Sequence, residues 1–365
     1  MTYSQRRAAL GARLRAAELD AMLVTDLINV RYLSGFTGSN AALLVFADGE
    51  DVVLATDGRY RTQAARQAPD LEVAIERAGG RYLAGRAAAV KVRRVGFESH
   101  VVTVDGYDAL AAGISTAGAT ELVRASQTVE ALREVKDAGE VALLRLACDA
   151  ADAALTDLLE RGGLRPGRTE REVGRELEAL MLDHGADGVS FETIVAGGAN
   201  SAIPHHRPTD AVLATGDFVK IDFGALVGGY HSDMTRTFVL GKAADWQLEI
   251  YQLVSTAQRA GREALRAGVC LADVDGAARG VIADAGHGEH FGHGLGHGVG
   301  LQIHEAPGIG ATAAGTLLAN SVVTVEPGVY LPDRGGVRIE DTLVVAGEGE
   351  PELLTRFPRE LTVVG

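Results

Sequence analysis

Two apolar stretches of this chain each contain a pair of acidic residues on opposite sides of a glycine-containing turn. Asp222 and Asp233 lie in VKIDFGALVGGYHSDMTRTFVL, and Glu326 and Glu340 lie in VVTVEPGVYLPDRGGVRIEDTLVV. Apolar runs on either side of such a turn predict antiparallel β-hairpins. Opposed residues of an antiparallel pair point to the same face. Each hairpin is therefore predicted to present two carboxylates side by side.

The spacing of each acidic pair predicts where its hairpin turns. The first pair is equidistant from Val227-Gly228, which places the first turn there. The second pair is equidistant from Asp333, inside the sequence LPDRGG. This symmetry predicts two similar hairpins that aim four carboxylates at one point.

Four ionised carboxylates around one point are unstable without a cation. Two unit charges about 4 Å apart repel by roughly 4 kcal/mol at an effective dielectric near 20, so the acids would otherwise take up protons. A pair of divalent cations cancels the four charges. Oxygen ligands with a single imidazole suit Mn, Co, Zn or Fe, and these segments contain no Cys. The alternative is four solvated acids that are unrelated in space.

Length and charge narrow the class of protein. A chain of 365 residues exceeds the usual size of one domain, so two domains are expected. The net charge of −14 argues against binding to nucleic acid or to an anionic membrane surface. No apolar run reaches membrane-spanning length, and the amphipathic start lacks the continuous apolar core of a signal peptide. Of the two cysteines, Cys148 lies in a helical apolar pattern that predicts a buried residue rather than half of a disulfide. A cytoplasmic enzyme is expected.

Residues 1–126 alternate helical and strand patterns, which predicts a small α/β domain. A first helix runs to Glu18 and leads into a strand at Ala21-Val24. The strands AALLVF and DVVLAT meet across residues 47–50, and further helices are predicted near 59–67 and 81–90. Asp57, Arg59 and Arg61 are interpreted as a solvated or domain-interface cluster. Nothing in this domain concentrates catalytic residue types.

Residues 127–365 are predicted to form the second domain, and its pattern occurs twice. A long helix from about Thr128 ends at Gly162-Gly163, and a capping box of Thr169 with Glu172 opens the next helix. Two more helices, at about 243–268 and 273–286, precede the second hairpin. Asp222 and Glu326 are separated by nearly the same number of residues as Gly185 and Gly286. This spacing predicts an internal duplication.

The histidines cluster close to these hairpins in the sequence. His293, His297 and His304 fall in the run FGHGLGHGVGLQIHEAP, where glycine lets the backbone approach a ligand closely. One imidazole ligand is plausible here, whereas three would crowd a site that already has four carboxylates. His205 and His206 lie in the loop ANSAIPHHRPTD, and loops of this kind often carry functional groups.

At these residues the chain resembles the pita-bread metallopeptidases, which include Xaa-Pro aminopeptidases, prolidases and methionine aminopeptidases. The motifs IDFGALVGGYHSDMTRT, HGLGHGVGLQIHEAP, TVEPGVY and VRIEDT carry the resemblance. It extends over the whole chain, because the N-terminal part is similar to the creatinase/prolidase N-terminal domain. The resemblance implies an α+β architecture with a duplicated catalytic domain, two divalent ions and a homodimer. Mn²⁺ is expected ahead of Co²⁺, Zn²⁺ or Fe²⁺.

The resemblance also assigns roles to individual residues. It implies five metal ligands, carried over position by position: Asp222, Asp233, His297, Glu326 and Glu340. Asp233 and Glu340 resemble the carboxylates that bridge the two ions. Asp222 then belongs to one ion, and His297 and Glu326 to the other. The reaction implied is attack on the scissile carbonyl by a hydroxide shared between the ions, with Glu326 accepting the proton of the water.

Four further side chains receive roles from the same resemblance. His304 corresponds to the residue that steadies the tetrahedral intermediate, and His205, rather than His206, to the one that contacts substrate. His293 matches an additional active-site histidine. Arg338 is expected to pair with a carboxylate outside the ligand set, with a strand-surface position as the alternative.

Several activities fit this pattern. Many prolidases carry an Arg shortly after the HE-x-P motif, suited to the C-terminal carboxylate of a dipeptide. This chain has Gly308 there, in HEAPGIG. The expected function is therefore an aminopeptidase P-like enzyme acting on peptides with proline second, and the alternative is a prolidase. A methionine aminopeptidase fits less well, because those enzymes usually lack the N-terminal domain. A non-catalytic peptide-binding protein is opposed by the intact ligand set.

Overall fold

The computed structural model describes residues 1–49, 51–114 and 119–365, which form two compact units. The first unit is Met1–Arg133 and the second is Glu134–Gly365. The division falls after Arg133, seven residues beyond the boundary expected after residue 126. Hydrogen bonds tie the intervening segment to the first unit. The Tyr32 hydroxyl donates to the Leu132 carbonyl at 3.2 Å, and Arg133 donates to the Asn29 side-chain oxygen at 2.9 Å.

The first unit is a six-stranded sheet with helices packed against it. Its helices are α1 (Tyr3–Ala16), α2 (Leu27–Ser34), α3 (Arg61–Gln67), α4 (Gly79–Ala89), α5 (Val104–Ile114) and α6 (Glu130–Arg133). Its strands are β1 (Ala21–Val24), β2 (Ala41–Phe46), β3 (Val52–Thr56), β4 (Glu72–Ile75), β5 (Arg94–Phe97) and β6 (Glu121–Arg124). The strand order is β4-β3-β2-β1-β5-β6. This architecture confirms the predicted α/β domain.

The predicted β2–β3 hairpin and the β1 strand are present, and two helices were missed. Strands β2 and β3 pair antiparallel from Ala41↔Thr56 onward, while Glu50 of the predicted connection lies outside the described residues. The first missed helix, α2, starts at Asp26, whose side chain accepts from the Ile28 amide. An Asp before an apolar run is a helix-start signal. The second missed helix, α5, also lies in a segment that the sequence left unassigned.

The second unit contains the helices α7 (Ala138–Glu160), α8 (Glu170–Asp183), α9 (Asp245–Ala264) and α10 (Leu271–Asp284). Its first-half strands are β7 (Gly188–Val189), β8 (Ile194–Gly197), β9 (Phe218–Phe223), β10 (Ala225–Val227), β11 (Tyr230–His231) and β12 (Met234–Leu240). The remaining strands are β13 (Gly296–Gly298), β14 (Glu305–Ile309), β15 (Val322–Val325), β16 (Gly328–Leu331), β17 (Gly335–Arg338), β18 (Asp341–Val344), β19 (Glu352–Leu353) and β20 (Val363–Val364). Short 3-10 helices span Gly58–Tyr60, Gly198–Ala202 and Gly288–His290.

The sheets of the second unit place one acidic hairpin in each half. Strands β9 and β12 are the central pair of the sheet β20-β12-β9-β8. Strands β15 and β18 lie side by side in the sheet β14-β13-β15-β18-β19, and their extensions β16 and β17 form a two-stranded ribbon. The buried apolar side chains of the two halves form two separate clusters, one behind each hairpin.

Local contacts confirm that the second unit is internally repeated. The residue before α8, Thr169, forms a β-bridge with Val212, and the residue before α10, Cys270, forms one with Thr316. Next to the first bridge, the Gly167 amide donates to the Leu213 carbonyl at 2.9 Å. Next to the second, the Gly268 amide donates to the Leu317 carbonyl at 2.8 Å. Equivalent backbone contacts at equivalent positions are the expected outcome of a duplicated helix–helix–hairpin unit.

The long helix predicted from Thr128 is instead two helices. Helix α6 ends at Arg133, and α7 begins after Asp137. The Asp137 carboxylate accepts from the amides of Gly139 and Glu140, and the Glu140 side chain returns a bond to the Asp137 amide. This capping box stabilises a new helix start, so the apolar periodicity continues while the helix does not.

The predicted register is right for the second hairpin and wrong for the first. In the second, Gly328↔Arg338 and Val325↔Asp341 flank the acids, which places Glu326 opposite Glu340. In the first, Asp222 faces Thr235 rather than Asp233. The turn is at Gly228-Gly229, with φ of 56° and 82°. Two positive φ values are typical of a type I′ turn, which two glycines form readily.

The side-chain alternation of strands preserves the functional consequence of that hairpin. Asp233 lies two residues before Thr235, so both belong to the face that also carries Asp222. The two acids are therefore diagonal neighbours rather than a directly opposed pair. In the described part of the chain, no helix combines the length and the apolar character needed to cross a membrane.

Candidate metal centre

The five predicted metal ligands come together in one cavity of the second unit. Its volume is about 390 Å³, and all five side chains line it. Asp222 lies on β9 and Asp233 just before β12, while His297 lies on β13. Glu326 and Glu340 sit where the second hairpin passes from one sheet to the next. Asp233, His297 and Glu340 each offer one ligand atom within 4.8 Å of the others.

The imidazole of His297 is oriented so that its Nε2 atom faces carboxylates. Its Nδ1 lies 3.1 Å from the Gly298 carbonyl oxygen, which can only accept, so Nδ1 carries a hydrogen. Its Nε2 lies 3.3 Å from Glu326 and 3.5 Å from Asp233. A lone pair cannot face carboxylate oxygens without a cation between them. Either a proton or a metal ion must occupy this position, and a metal-ligating His is usually oriented by such a bond from its other nitrogen.

The carboxylates are held where they resist ionisation in the absence of a cation. Burial raises the pKa of Asp233, and neighbouring carboxylates, first Glu340, raise it further. Burial and the Glu326 carboxylate raise the pKa of Glu340. Burial alone would raise the pKa of Glu326 as well, but the hydrogen bond and charge of His297 lower it to about 2. The carboxylates of the site therefore carry more negative charge than the neighbouring cations of the protein compensate.

Asp222 supplies the clearest sign of a missing partner. One of its oxygens, Oδ2, accepts from Arg338, while the other, Oδ1, is buried and has no hydrogen-bond partner. A buried carboxylate oxygen without a partner is costly. The donor set of four carboxylates and one imidazole fits borderline divalent metals. The residues present thus fit a metal centre.

Arg338 lies inside this site rather than on the strand surface. Its guanidinium donates to Asp222 and, at 2.8 Å, to the Tyr330 hydroxyl. It also donates to the Thr235 hydroxyl at 3.0 Å and to the Pro204 carbonyl at 3.3 Å. The expected partner was a carboxylate outside the ligand set. The partner observed is Asp222, a predicted ligand itself, because β17 passes next to β9 and β12.

A hydrogen-bond chain from Arg338 determines the state of His293. The His293 Nδ1 lies 2.8 Å from the Gly294 carbonyl, so this nitrogen donates. Its Nε2 lies 2.8 Å from the Tyr330 hydroxyl. That hydroxyl accepts from Arg338 and therefore donates to the imidazole. Burial lowers the pKa of His293, which agrees with a neutral ring that is held by two hydrogen bonds.

The other three predicted histidines, His205, His206 and His304, all line the cavity, and they differ in burial. His304 lines the cavity, with its ring centre 4.4 Å from that of His297. His205 lines the cavity and is exposed. His206 is buried and bonds Glu170 at 2.8 Å, and the same carboxylate binds Thr209. This placement supports the choice of His205 over His206, although His205's role stays a prediction.

Some residues of the site were not found from the sequence. Thr235 donates to Glu340 at 2.6 Å and accepts from Arg338, so it links the two hairpins. The alternation D-x-T after Asp233 was an available signal. For Tyr330, the only available sequence signal was its position in the motif TVEPGVY. Apolar side chains that line the cavity beside the acids had no signal at all: Phe191, Ile194, Pro204 and Ile303.

The chain belongs to metallopeptidase family M24. The model of that family matches residues 142–347, and the model of the creatinase/prolidase N-terminal domain matches residues 6–135. A Xaa-Pro dipeptidase of Pyrococcus horikoshii is 33% identical over 94% of each chain. The solved structure of a Xaa-Pro dipeptidase from Bacillus anthracis has a TM-score of 0.93 and 38% identity, with 100% of both chains covered. An X-Pro aminopeptidase from Thermotoga maritima has a TM-score of 0.89 and 34% identity over 99% of both chains.

These similarities confirm the predicted family and fold and revise the order of the two predicted activities. The chain is a metallopeptidase-family protein with a creatinase/prolidase N-terminal domain and a duplicated α+β catalytic domain. Among the similar proteins compared, dipeptidases and prolidases outnumber aminopeptidases. The comparisons therefore favour the prolidase alternative over the aminopeptidase P-like expectation.

Proposed function

We propose that this protein is a dinuclear metal-dependent Xaa-Pro dipeptidase. The observation that carries the proposal is the convergence of four carboxylates and the outward-facing Nε2 of His297 in one cavity. Similarity to Xaa-Pro dipeptidases along the whole chain supports the substrate class. The apolar residues beside the acids suit the uncharged ring of a prolyl residue.

Five residues would hold the two ions: Asp222, Asp233, His297, Glu326 and Glu340. Such ions lower the pKa of water and polarise a peptide carbonyl, which is the chemistry that amide hydrolysis requires. Asp233 and Glu340 come from different hairpins and have ligand atoms within 4.8 Å of each other, and the family resemblance would make them the ligands shared by both ions. The expectation of Mn²⁺ rests on family resemblance and the donor set, and it is tested by metal analysis.

The other side chains of the cavity bind and orient the substrate. Glu326, one of the five ligands, lies 3.3 Å from His297 in the cavity, and the family resemblance makes it the acceptor of the water proton. His304, whose pKa burial lowers, is neutral and can donate a hydrogen bond to the developing oxyanion. His205 is exposed in the cavity and can contact the peptide. His293 acts through its position, since both ring nitrogens already have partners.

An aminopeptidase acting on longer Xaa-Pro peptides is the second candidate. Gly308 pairs with His297 across β13 and β14 and contributes no side chain to close the site. A Cβ added at Gly308 would meet no atom within 4 Å. Gly308 lines a neighbouring cavity of about 730 Å³ that shares Gly294 and Gly296 with the metal cavity, and this open space suits a substrate that continues beyond proline. The similarity to the Thermotoga maritima X-Pro aminopeptidase agrees with this candidate.

A matched pair of peptides separates the two functions. With Mn²⁺ added, we expect kcat/KM for Ala-Pro to exceed kcat/KM for Ala-Pro-Ala by about tenfold or more. Release of free alanine, measured by chromatography, gives both rates. Faster hydrolysis of the tripeptide would establish the aminopeptidase instead. Absence of bound metal and of any turnover would support a non-catalytic peptide-binding protein.

Three further expectations remain predictions. The cytoplasmic location rests on the sequence alone, and the homodimer rests on the family resemblance. Elution of the protein as a monomer would contradict the dimer. Methionine aminopeptidase activity is not expected, and Met-Ala-Ser serves as the substrate that would reveal it.

A further inference from the structure

A dipeptidase must recognise a carboxylate that a longer peptide does not present at the same place. In an Xaa-Pro dipeptide this negative charge lies directly on the prolyl residue. With two divalent ions bound, the charges of the four carboxylate ligands are cancelled, and Glu192 remains as a further acid among the cavity-lining residues. A substrate carboxylate near Glu192 is opposed unless a cation of the protein faces it. The question, which rests on the proposed function, is which cation does so.

Only two Lys or Arg side chains line the cavity within the described residues, Arg207 and Arg338. The Arg338 side chain is 3% exposed. Four of its N–H groups are already given to Asp222, Thr235, Tyr330 and Pro204. Arg338 therefore has neither the access nor the donors for a substrate carboxylate.

Arg207 has both. Its side chain is 82% exposed, and its Nε lies 3.3 Å from Glu192, whose side chain is 58% exposed. An ion pair with this much water around it contributes little, so it does not commit the guanidinium. The planar fork of an arginine can give two parallel hydrogen bonds to a carboxylate while its Nε stays near Glu192.

The backbone that carries Arg207 is held firmly. His206, the preceding residue, is anchored to the buried Glu170. Lys220, which is fully buried, donates to the carbonyls of Ile203 at 2.6 Å and Pro204 at 3.2 Å. These buried contacts anchor the backbone of the loop, and the Arg207 side chain lines the cavity. The anchored backbone limits the positions that the exposed Arg207 guanidinium can reach, so its charge stays at the cavity.

We infer that Arg207 is the specificity-determining residue that binds the C-terminal carboxylate of an Xaa-Pro dipeptide. This assignment supplies the basic group that Gly308 does not. It also reconciles an open position at Gly308 with the dipeptidase function. Arg207 contributes to binding of the prolyl end and takes no part in proton transfer.

Kinetics of Arg207→Met with a dipeptide and its amide test the assignment. Ala-Pro carries the carboxylate, and Ala-Pro-NH2 lacks it. We expect the KM for Ala-Pro to rise about tenfold, the effect of losing a charge-assisted hydrogen bond that is partly exposed to water, with kcat within twofold. The KM for the amide should stay within twofold. If the amide turns over too slowly, its inhibition constant against Ala-Pro gives the same comparison.

Two further variants provide controls. Arg171→Met removes another exposed arginine, paired with Asp210 outside the cavity, and should leave both substrates unaffected. Arg207→Lys retains the charge without the fork and should restore part of the dipeptide affinity. Equal changes for acid and amide, or no change for either, would overturn the assignment while leaving the dipeptidase function standing. A wild-type enzyme that cleaves the amide but not Ala-Pro would refute both.

Discussion

Asp233→Asn and Glu340→Gln should each reduce kcat/KM by about a thousandfold or more and abolish tight metal binding. Both side chains are buried between the two hairpins, and each would supply a negative charge to the metal centre. A charge interaction of about 4 kcal/mol across about 4 Å corresponds to about a thousandfold in rate. Turnover with Mn²⁺ added, together with metal content after dialysis, measures the effect.

The same variants should not destabilise the metal-free protein at pH 7.5. The pKa values of Asp233 and Glu340 are raised by burial, so each ionised carboxylate opposes folding above its unfolded-state pKa. A neutral amide of the same size removes that cost. We expect a melting temperature at least equal to that of the wild type without metal, and a much smaller increase on adding Mn²⁺. Asp210→Asn, at an exposed position, is the matched control. Near-normal turnover in either site variant would show that the ligands are wrongly assigned.

Arg236→Met should be the most destabilising single substitution behind the metal centre, by about 3–5 kcal/mol, the usual cost of removing one partner of a buried ion pair. Arg236 is 1% exposed, and all five of its side-chain N–H groups have acceptors. They are the carbonyls of Thr235, Glu340, Phe357 and Pro358 and the carboxylate of Asp341. Removing the guanidinium leaves four carbonyls without this donor and takes away the cation nearest to the buried Asp341 carboxylate.

The pH dependence of this loss identifies its cause. Burial would raise the pKa of Asp341, but the charge of Arg236 lowers it. In the wild type this stabilises the fold above the unfolded-state pKa of Asp341 and is lost as pH falls through the lower folded-state value. Without Arg236 the carboxylate keeps only the more distant Arg359 and its bonds from Gln258 and Thr355, so its pKa should rise. The difference in unfolding free energy between variant and wild type should therefore shrink from pH 7.5 towards pH 4, as measured by urea denaturation of the metal-free protein.

Two variants separate the ion pair from general disruption. The double variant Arg236→Met, Asp341→Leu removes both charges and should recover part of the lost stability, because no buried charge is left unpaired. Arg161→Met breaks an exposed pair with Asp157 and should change stability by less than about 1 kcal/mol. A double variant that is as unstable as the sum of its single variants would exclude the ion pair as the cause.

The two hairpins show which structural features can be predicted from local sequence patterns and which cannot. Apolar runs with acids on either side of a turn were sufficient to predict both hairpins and the face on which their carboxylates lie. The register of the second followed from its symmetry. The register of the first depended on which residues form the turn, and the positive φ of Gly228 and Gly229 decided it. Two adjacent glycines were the available signal.

Contacts between segments that are distant in the sequence could not be predicted from such local patterns. Thr235 touches Glu340, and Arg338 touches Asp222, across more than a hundred residues of sequence. The contact of His206 with Glu170 of α8 supports His205 as the histidine that contacts substrate, and that role stays a prediction. No periodicity within one element encodes these partners.

The sequence by itself determined the ligand types, the two hairpins, the duplicated helix order and the α/β character of the first unit. Each of these depends on residues close in the chain, through alternation, turns and helix caps. Tertiary structure alone decided that Asp222 Oδ1 lacks a partner in the shared cavity, that Arg338 is buried and bonded to Asp222, and that Arg207 lines the cavity with an exposed side chain. Those outcomes depend on burial and on distances between separate elements, which arise only when the two halves of the second unit pack together.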